Sequence, residues 1–154
     1  LIFDESVLAK ASLKSGPECL FIMNEMIRLL LVDDEPAVRK GLHMRLAAEP
    51  DFEVVGEADD GEAAVALAQT LQPDVVLMDV VMPTKNGITA TEELHMMFPQ
   101  IAVIMLSIHD DASTQERAEQ AGATAFVPKR VPTDMLMAMI RQAAHNARRA
   151  DTSL

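Results

Sequence analysis

From Met26 onward the chain alternates short apolar runs with longer segments whose apolar positions recur every three or four residues, the rhythm of buried strands followed by amphipathic helices. Ile27-Arg28-Leu29-Leu30-Leu31-Val32 reads as the first strand. Pro36 suits the first turn of a helix running to about Ala48, with Val38, Leu42 and Leu46 along one face. Phe52–Ala58 reads as a second strand and an alanine-rich helix follows from about Gly61 to Leu71, where Pro73 breaks it. Asp74–Asp79 is expected as the third strand. A turn through Pro83 and Asn86-Gly87 then leads to a helix over roughly residues 88–98. Ile101–Leu106 predicts the fourth strand, residues 110–121 a polar helix, Ala123–Val127 a short fifth strand, and residues 132–147 the last helix.

Strands alternating with helices in this way imply an α/β fold with a parallel sheet, right-handed crossovers and helices on both faces. Five strands in about 120 residues suit the flavodoxin-like order 2-1-3-4-5. That order places a topological switch point between strands 1 and 3, and ligands bind there, outside the carboxyl ends of the strands. The chemistry at those ends is therefore the place to look for function.

Composition narrows the classes. The 154 residues suffice for one domain with a sizeable core, and 49% are hydrophobic, so a folded domain is expected. A formal net charge of −11 argues against this segment gripping nucleic acid by itself, because such affinity begins with phosphate neutralisation by Lys and Arg. The single cysteine, Cys19, excludes an internal disulfide and makes a reducing cytoplasm the expected compartment, with the thiol incidental. No apolar run approaches a membrane span, and no signal peptide is read. Residues 1–22 do not share the rhythm of the rest of the chain. They read as an extension, whether tag, upstream sequence or arm, before a domain over residues 23–147. Residues 148–154 read as the start of a linker or tail.

The first strand ends in Asp33-Asp34 and the third in Asp79. Alone, each is an ordinary cap or turn residue. Together the fold would gather three carboxylates at the switch point, where close anions repel unless a cation intervenes. A hard divalent ion such as Mg²⁺ suits carboxylates, a carbonyl, waters and an incoming phosphate oxygen. Ser107 ends the fourth strand and Lys129 follows the fifth, on the same rim. A carboxylate, a cation, a hydroxyl and an ammonium are what a phosphoryl group on Asp79 would need. The carboxylate attacks phosphorus, positive charge neutralises the equatorial oxygens, and the hydroxyl donates to one of them.

Asp33-Asp34, Asp79 with Met82-Pro83 and Gly87, Leu106-Ser107, Gly122-Ala123 and Lys129, in that order, resemble the receiver domain of two-component response regulators over about residues 26–147. The run Ser107-Ile108-His109-Asp110-Asp111 is most similar to the LuxR/NarL-type branch. In keeping with that branch, Arg130 follows the lysine where many other receivers carry proline. The resemblance implies that Asp79 is the phosphoacceptor, that Asp34 and Asp79 are direct Mg²⁺ ligands, that Asp33 acts mainly through water, and that the Val81 carbonyl completes the protein side. It implies Ser107 as the switch hydroxyl, Lys129 as the phosphate-binding lysine and Phe126 as the switch aromatic. It further implies a sensor histidine kinase as phosphoryl donor, homodimerisation on phosphorylation, and contact with DNA only through an effector domain outside this chain. His109 is placed to modulate water access to the phosphoryl group. His43, His95 and His145 do not cluster by spacing, and most of the eleven methionines read as core filling.

Two rival readings carry tests. A Mg²⁺-dependent phosphohydrolase of the haloacid-dehalogenase-like type also forms an aspartyl phosphate, but it wants a second Asp two residues after the nucleophile, where this chain has Val81. A degenerate receiver acting only as an interaction module would have lost part of the set Asp33, Asp34, Asp79, Ser107 and Lys129.

Overall fold

The inner strands of the central sheet are nearly continuous runs of buried apolar residues, which is why the sheet needs helices on either side. A computed structural model describes residues 26–152 apart from Pro83, His109 and Asp110. The extension over residues 1–22, Cys19 and the modulator His109 therefore lie outside the described residues. The elements are β1 (Ile27–Val32), α1 (Pro36–Ala47), β2 (Phe52–Ala58), α2 (Gly61–Leu71), β3 (Val75–Asp79), α3 (Gly87–Met97), β4 (Ala102–Ser107), α4 (Ala112–Gln120), β5 (Ala125–Pro128) and α5 (Thr133–Thr152).

The strands form one five-stranded parallel sheet in the order β2-β1-β3-β4-β5. This is the expected flavodoxin-like arrangement, with the switch point between β1 and β3. In register, Val32 lies beside Met78, Asp79 beside Leu106, and Ser107 beside Pro128. The carboxyl ends of β1, β3, β4 and β5 thus finish along one rim.

Two apolar layers sandwich the sheet. On one face Leu29, Leu31, Leu77 and Ile104 pack with Leu46 of α1 and with Leu136 and Ile140 of α5. On the other, Leu30, Val76, Met78 and Met105 pack with Ala64 and Ala68 of α2, Leu94 of α3 and Ala118 of α4. The alternation of odd and even strand positions between the layers follows from the two-residue period of a strand.

Side-chain caps start three helices. Asp60, Asn86 and Asp111 accept from the backbone N–H groups of Ala63 at 2.7 Å, Thr89 at 2.9 Å and Thr114 at 3.0 Å. Pro36 opens α1, and Gln72 closes α2 in the left-handed region at φ 49°.

Several boundaries differ from expectation. β5 begins at Ala125 rather than Ala123, and α4 at Ala112 because Asp111 is spent as its cap. α5 continues to Thr152, beyond the expected end near Ala147. Its Arg148 reaches back to the Met26 carbonyl at 3.0 Å and to Asp74 at 3.2 Å, a long-range anchor that local pattern does not reveal. Val38, expected on the core face of α1, is 38% exposed, because the first turn of that helix stands over the open rim. Of the last-helix methionines, Met137 is buried and Met135 is 54% exposed, as helical spacing requires.

Candidate functional site

The rim at the ends of β1 and β3 holds an acidic cluster. Asp33, Asp34 and Asp79 each offer a carboxylate oxygen, and these atoms lie within 4.8 Å of one another. Asp33 and Asp79 are each 5% exposed, whereas Asp34 faces solvent. β1 delivers the first pair because its last buried residue, Val32, ends the hydrophobic run. β3 delivers Asp79 on the face opposite Met78.

Lys129 is brought into the cluster by main-chain pairing. Its backbone N–H donates to the Ser107 carbonyl at 2.8 Å, extending the β4–β5 ladder by one residue. From there the Lys129 Nζ lies 2.9 Å from Asp33 Oδ2 and 3.2 Å from Asp79 Oδ1. Asp33 Oδ1 accepts from the Glu35 backbone N–H at 2.9 Å, so both Asp33 oxygens are engaged. The ammonium bridges two carboxylates that would otherwise repel.

These contacts set the electrostatics. Burial pushes the Asp79 carboxyl up from 3.8 to about 6; Lys129 opposes the rise, Asp33 adds to it, and a hydrogen bond from the Val81 backbone N–H opposes it. For Lys129 burial favours the neutral amine, but the bond to Asp33 and the charges of Asp79 and Asp33 outweigh it and hold the ammonium above its ordinary 10.5. A buried carboxylate that stays partly protonated near neutrality is one whose ionised form is short of positive charge. The donors are hard oxygens, as Mg²⁺ prefers, so the residues present fit that ion.

Ser107 is buried at the end of β4, one residue beyond the position paired with Asp79. An open cleft of about 370 Å³ runs beside it, lined by Val81, Met82, Asn86, Thr114 and Arg117 among others. Val81 itself is 60% exposed. Phe126 is half-buried on β5 and packs against the layer formed with α2, α3 and α4.

The β3–α3 loop is held tightly. The Gly87 N–H donates to the Val80 carbonyl at 2.9 Å, and a Cβ on Gly87 would run into the Asp79 carbonyl. Only glycine lets α3 start so close to the strand end. Neither the Val81 N–H contact nor the loop packing is legible in the sequence, since both depend on backbone path. The Asn86-Gly87 pair is the one available signal.

The chain matches the family described as response regulator receiver domain over residues 29–141. It is 40% identical over 118 residues to the transcriptional regulatory protein DegU of Brevibacillus brevis, covering 77% of this chain and 50% of that protein. It is 45% identical over 106 residues to the transcriptional regulatory protein LiaR of Bacillus subtilis, covering 68% of this chain and 49% of that protein. A solved two-component response regulator of the LuxR family from Aurantimonas sp. SI85-9A1 superposes with a TM-score of 0.75 at 30% identity, over 79% of this chain and 86% of the other. The chain spans about half the length of the curated relatives it matches.

Proposed function

The chain belongs to the response regulator receiver domain family, most similar to its LuxR/NarL-type branch, and on that premise we propose that Asp79 is its phosphoacceptor. The observation that carries this is a buried Asp79 with a raised pKa, set 3.2 Å from the Lys129 ammonium at the switch point of the sheet. Perturbed titration by burial next to a specific charge partner is characteristic of reactive carboxylates.

Asp79, Asp34 and the Val81 carbonyl would hold Mg²⁺ directly, with Asp33 acting through water. Both Asp33 oxygens already have protein partners, which supports the indirect role. When bound, Mg²⁺ would supply positive charge to the phosphoryl oxygens and to the crowded carboxylates. An oxygen of ionised Asp79 attacks phosphorus, the bond from phosphorus to the donor's imidazole nitrogen breaks, and the imidazole takes up a proton. Lys129 stays protonated and moves from carboxylate to phosphoryl oxygens, and the Ser107 hydroxyl donates to one of them.

The donor is a sensor histidine kinase, and the chain acts as a switch rather than as an enzyme on an outside substrate. It catalyses only its own phosphorylation and hydrolysis. Inward movement of Ser107 leaves room for half-buried Phe126 to turn toward the core, remodelling the face of α4, β5 and α5 for homodimerisation. The output is transcriptional, through a DNA-binding effector outside this chain, in the cytoplasm. The relatives named as transcriptional regulators, of which the matched region covers only about half, support that output. Among the described residues no helix is long and apolar enough to cross a membrane.

Intact mass after incubation with acetyl phosphate and Mg²⁺ tests the reading. One phosphoryl group on the wild type and none on Asp79→Asn is expected. Unlimited turnover of the donor without a mass change would favour the phosphohydrolase, and neither would favour a degenerate module.

A further inference from the structure

We propose that Gly61, at the start of α2, is a positioning residue for the β3–α3 loop, fixing it by a backbone hydrogen bond and by its lack of a side chain. The Gly61 N–H donates to the Lys85 carbonyl at 3.2 Å, joining two segments that are 24 residues apart in sequence. Gly61 is buried, and a Cβ there would lie 2.6 Å from the Lys85 carbonyl oxygen, 2.9 Å from Lys85 Cγ and 3.0 Å from the Ala90 Cβ. Its φ is outside the left-handed region, so the backbone conformation alone does not call for glycine. Space does.

The loop it holds is under strain. Thr84, next to Lys85, stands at φ 69°, in the left-handed region that a β-branched residue rarely enters. Such a conformation persists only where surrounding contacts over-determine it. Those contacts are the Gly61 latch and the Gly87 N–H on the Val80 carbonyl; the Lys85–Glu93 ion pair at 2.8 Å is part-exposed and adds little. Within the loop, the Val81 backbone N–H faces the Asp79 carboxylate closely enough to favour its ionised form. Lys85 and Val81 belong to the same short loop between β3 and α3, so a displacement of Lys85 bears on the group that faces the phosphoacceptor. The consequence for Mg²⁺ rests on the roles proposed for Asp79 and Val81.

A purely local role predicts the opposite sign. Asp60 caps α2, Gly61 occupies the first helical position, and alanine is the better helix former there. On helix propensity alone Gly61→Ala would be neutral or mildly stabilising and would leave ion binding untouched.

The experiment compares wild type, Gly61→Ala, Lys85→Ala and the double variant by thermal melting, magnesium calorimetry and backbone amide shifts. Gly61→Ala is expected to shift the Val81–Gly87 amides without magnesium and to weaken Mg²⁺ binding about tenfold or more, the range for residues that orient metal ligands. Its melting temperature should fall, because the new methyl meets a backbone carbonyl and one of the two segments must move. Lys85→Ala keeps the carbonyl and should bind like wild type, and the double variant should stay weak because a new methyl still meets that carbonyl. Unshifted loop amides with wild-type affinity in Gly61→Ala, or recovery in the double variant, would overturn the proposal. If wild type itself binds no magnesium, the metal reading fails and the loop amides alone decide the latch. Should Gly61→Ala not fold, amide exchange in wild type decides instead: protection at Gly61 matching the α2 interior supports the latch, and free-loop exchange refutes it.

Discussion

Replacing Asp79 with asparagine should stabilise the magnesium-free domain, and by an amount that grows with pH. The fold raises the Asp79 carboxyl from 3.8 to about 6, chiefly by burial, so the folded state prefers it protonated. The stabilisation from holding that proton is complete below the unfolded value and is lost as pH climbs through the folded one. Asparagine has nearly the shape of the protonated acid and never ionises. The advantage of Asp79→Asn is then about 1 kcal/mol near pH 4.5 and reaches a ceiling of about 3 kcal/mol near pH 7.5, since one pKa unit corresponds to about 1.4 kcal/mol. The cost of losing the Lys129 partner is already contained in that figure, because Lys129 opposes the rise. With no Trp and no Tyr in the chain, urea unfolding in the presence of a chelator is best followed by far-ultraviolet circular dichroism. Added Mg²⁺ should shrink the difference, because an ion that binds only the native wild type stabilises it by mass action. A difference independent of pH, or a variant less stable than wild type near pH 7.5, would refute the claim that ionised Asp79 is held against its preference.

Asp34→Ala should weaken Mg²⁺ binding and slow phosphoryl uptake, while the solvent-facing position leaves the fold intact; calorimetry and intact mass check both. Ser107→Ala should still accept a phosphoryl group at Asp79 but lose most of the phosphorylation-dependent change in self-association, a coupling of about 1–3 kcal/mol readable by sedimentation. Gly87→Ala should cost about 3 kcal/mol or more of stability, because its methyl would strike the Asp79 carbonyl, and unfolding in urea measures it.

The fold was legible because period and punctuation agreed. Alternating apolar runs, Pro36, Pro73 and the Asn86-Gly87 turn placed every element, with most boundaries within two residues, and the strand count selected the sheet order. The site was legible as a set of strand ends: Asp33, Asp79, Ser107 and Lys129 each terminate or follow a strand that the sheet order brings to one rim. What pattern could not show is pairing across that rim. Nothing local says that Lys129 bridges Asp33 as well as Asp79, that the Val81 N–H turns back on the Asp79 carboxylate, or that Gly61 meets Lys85. Val38 misled for a related reason: helical spacing marks a face, but not that the face runs out from the core over a polar mouth. The reach of α5 to Thr152 was hidden because Arg148 finds its partners, Met26 and Asp74, far away in sequence.

Every role proposed for this rim depends on a phosphoryl group sitting on Asp79, and chemical trapping reads that directly. Borohydride reduces an aspartyl phosphate to homoserine, leaving a stable mark at the modified residue. After incubation with acetyl phosphate and Mg²⁺, peptide mass spectrometry should find that mark at Asp79 alone, and it should vanish when magnesium is chelated. A mark at Asp33 or Asp34 instead, or an unmarked Asp79 in protein whose intact mass has risen, would put the phosphoacceptor elsewhere.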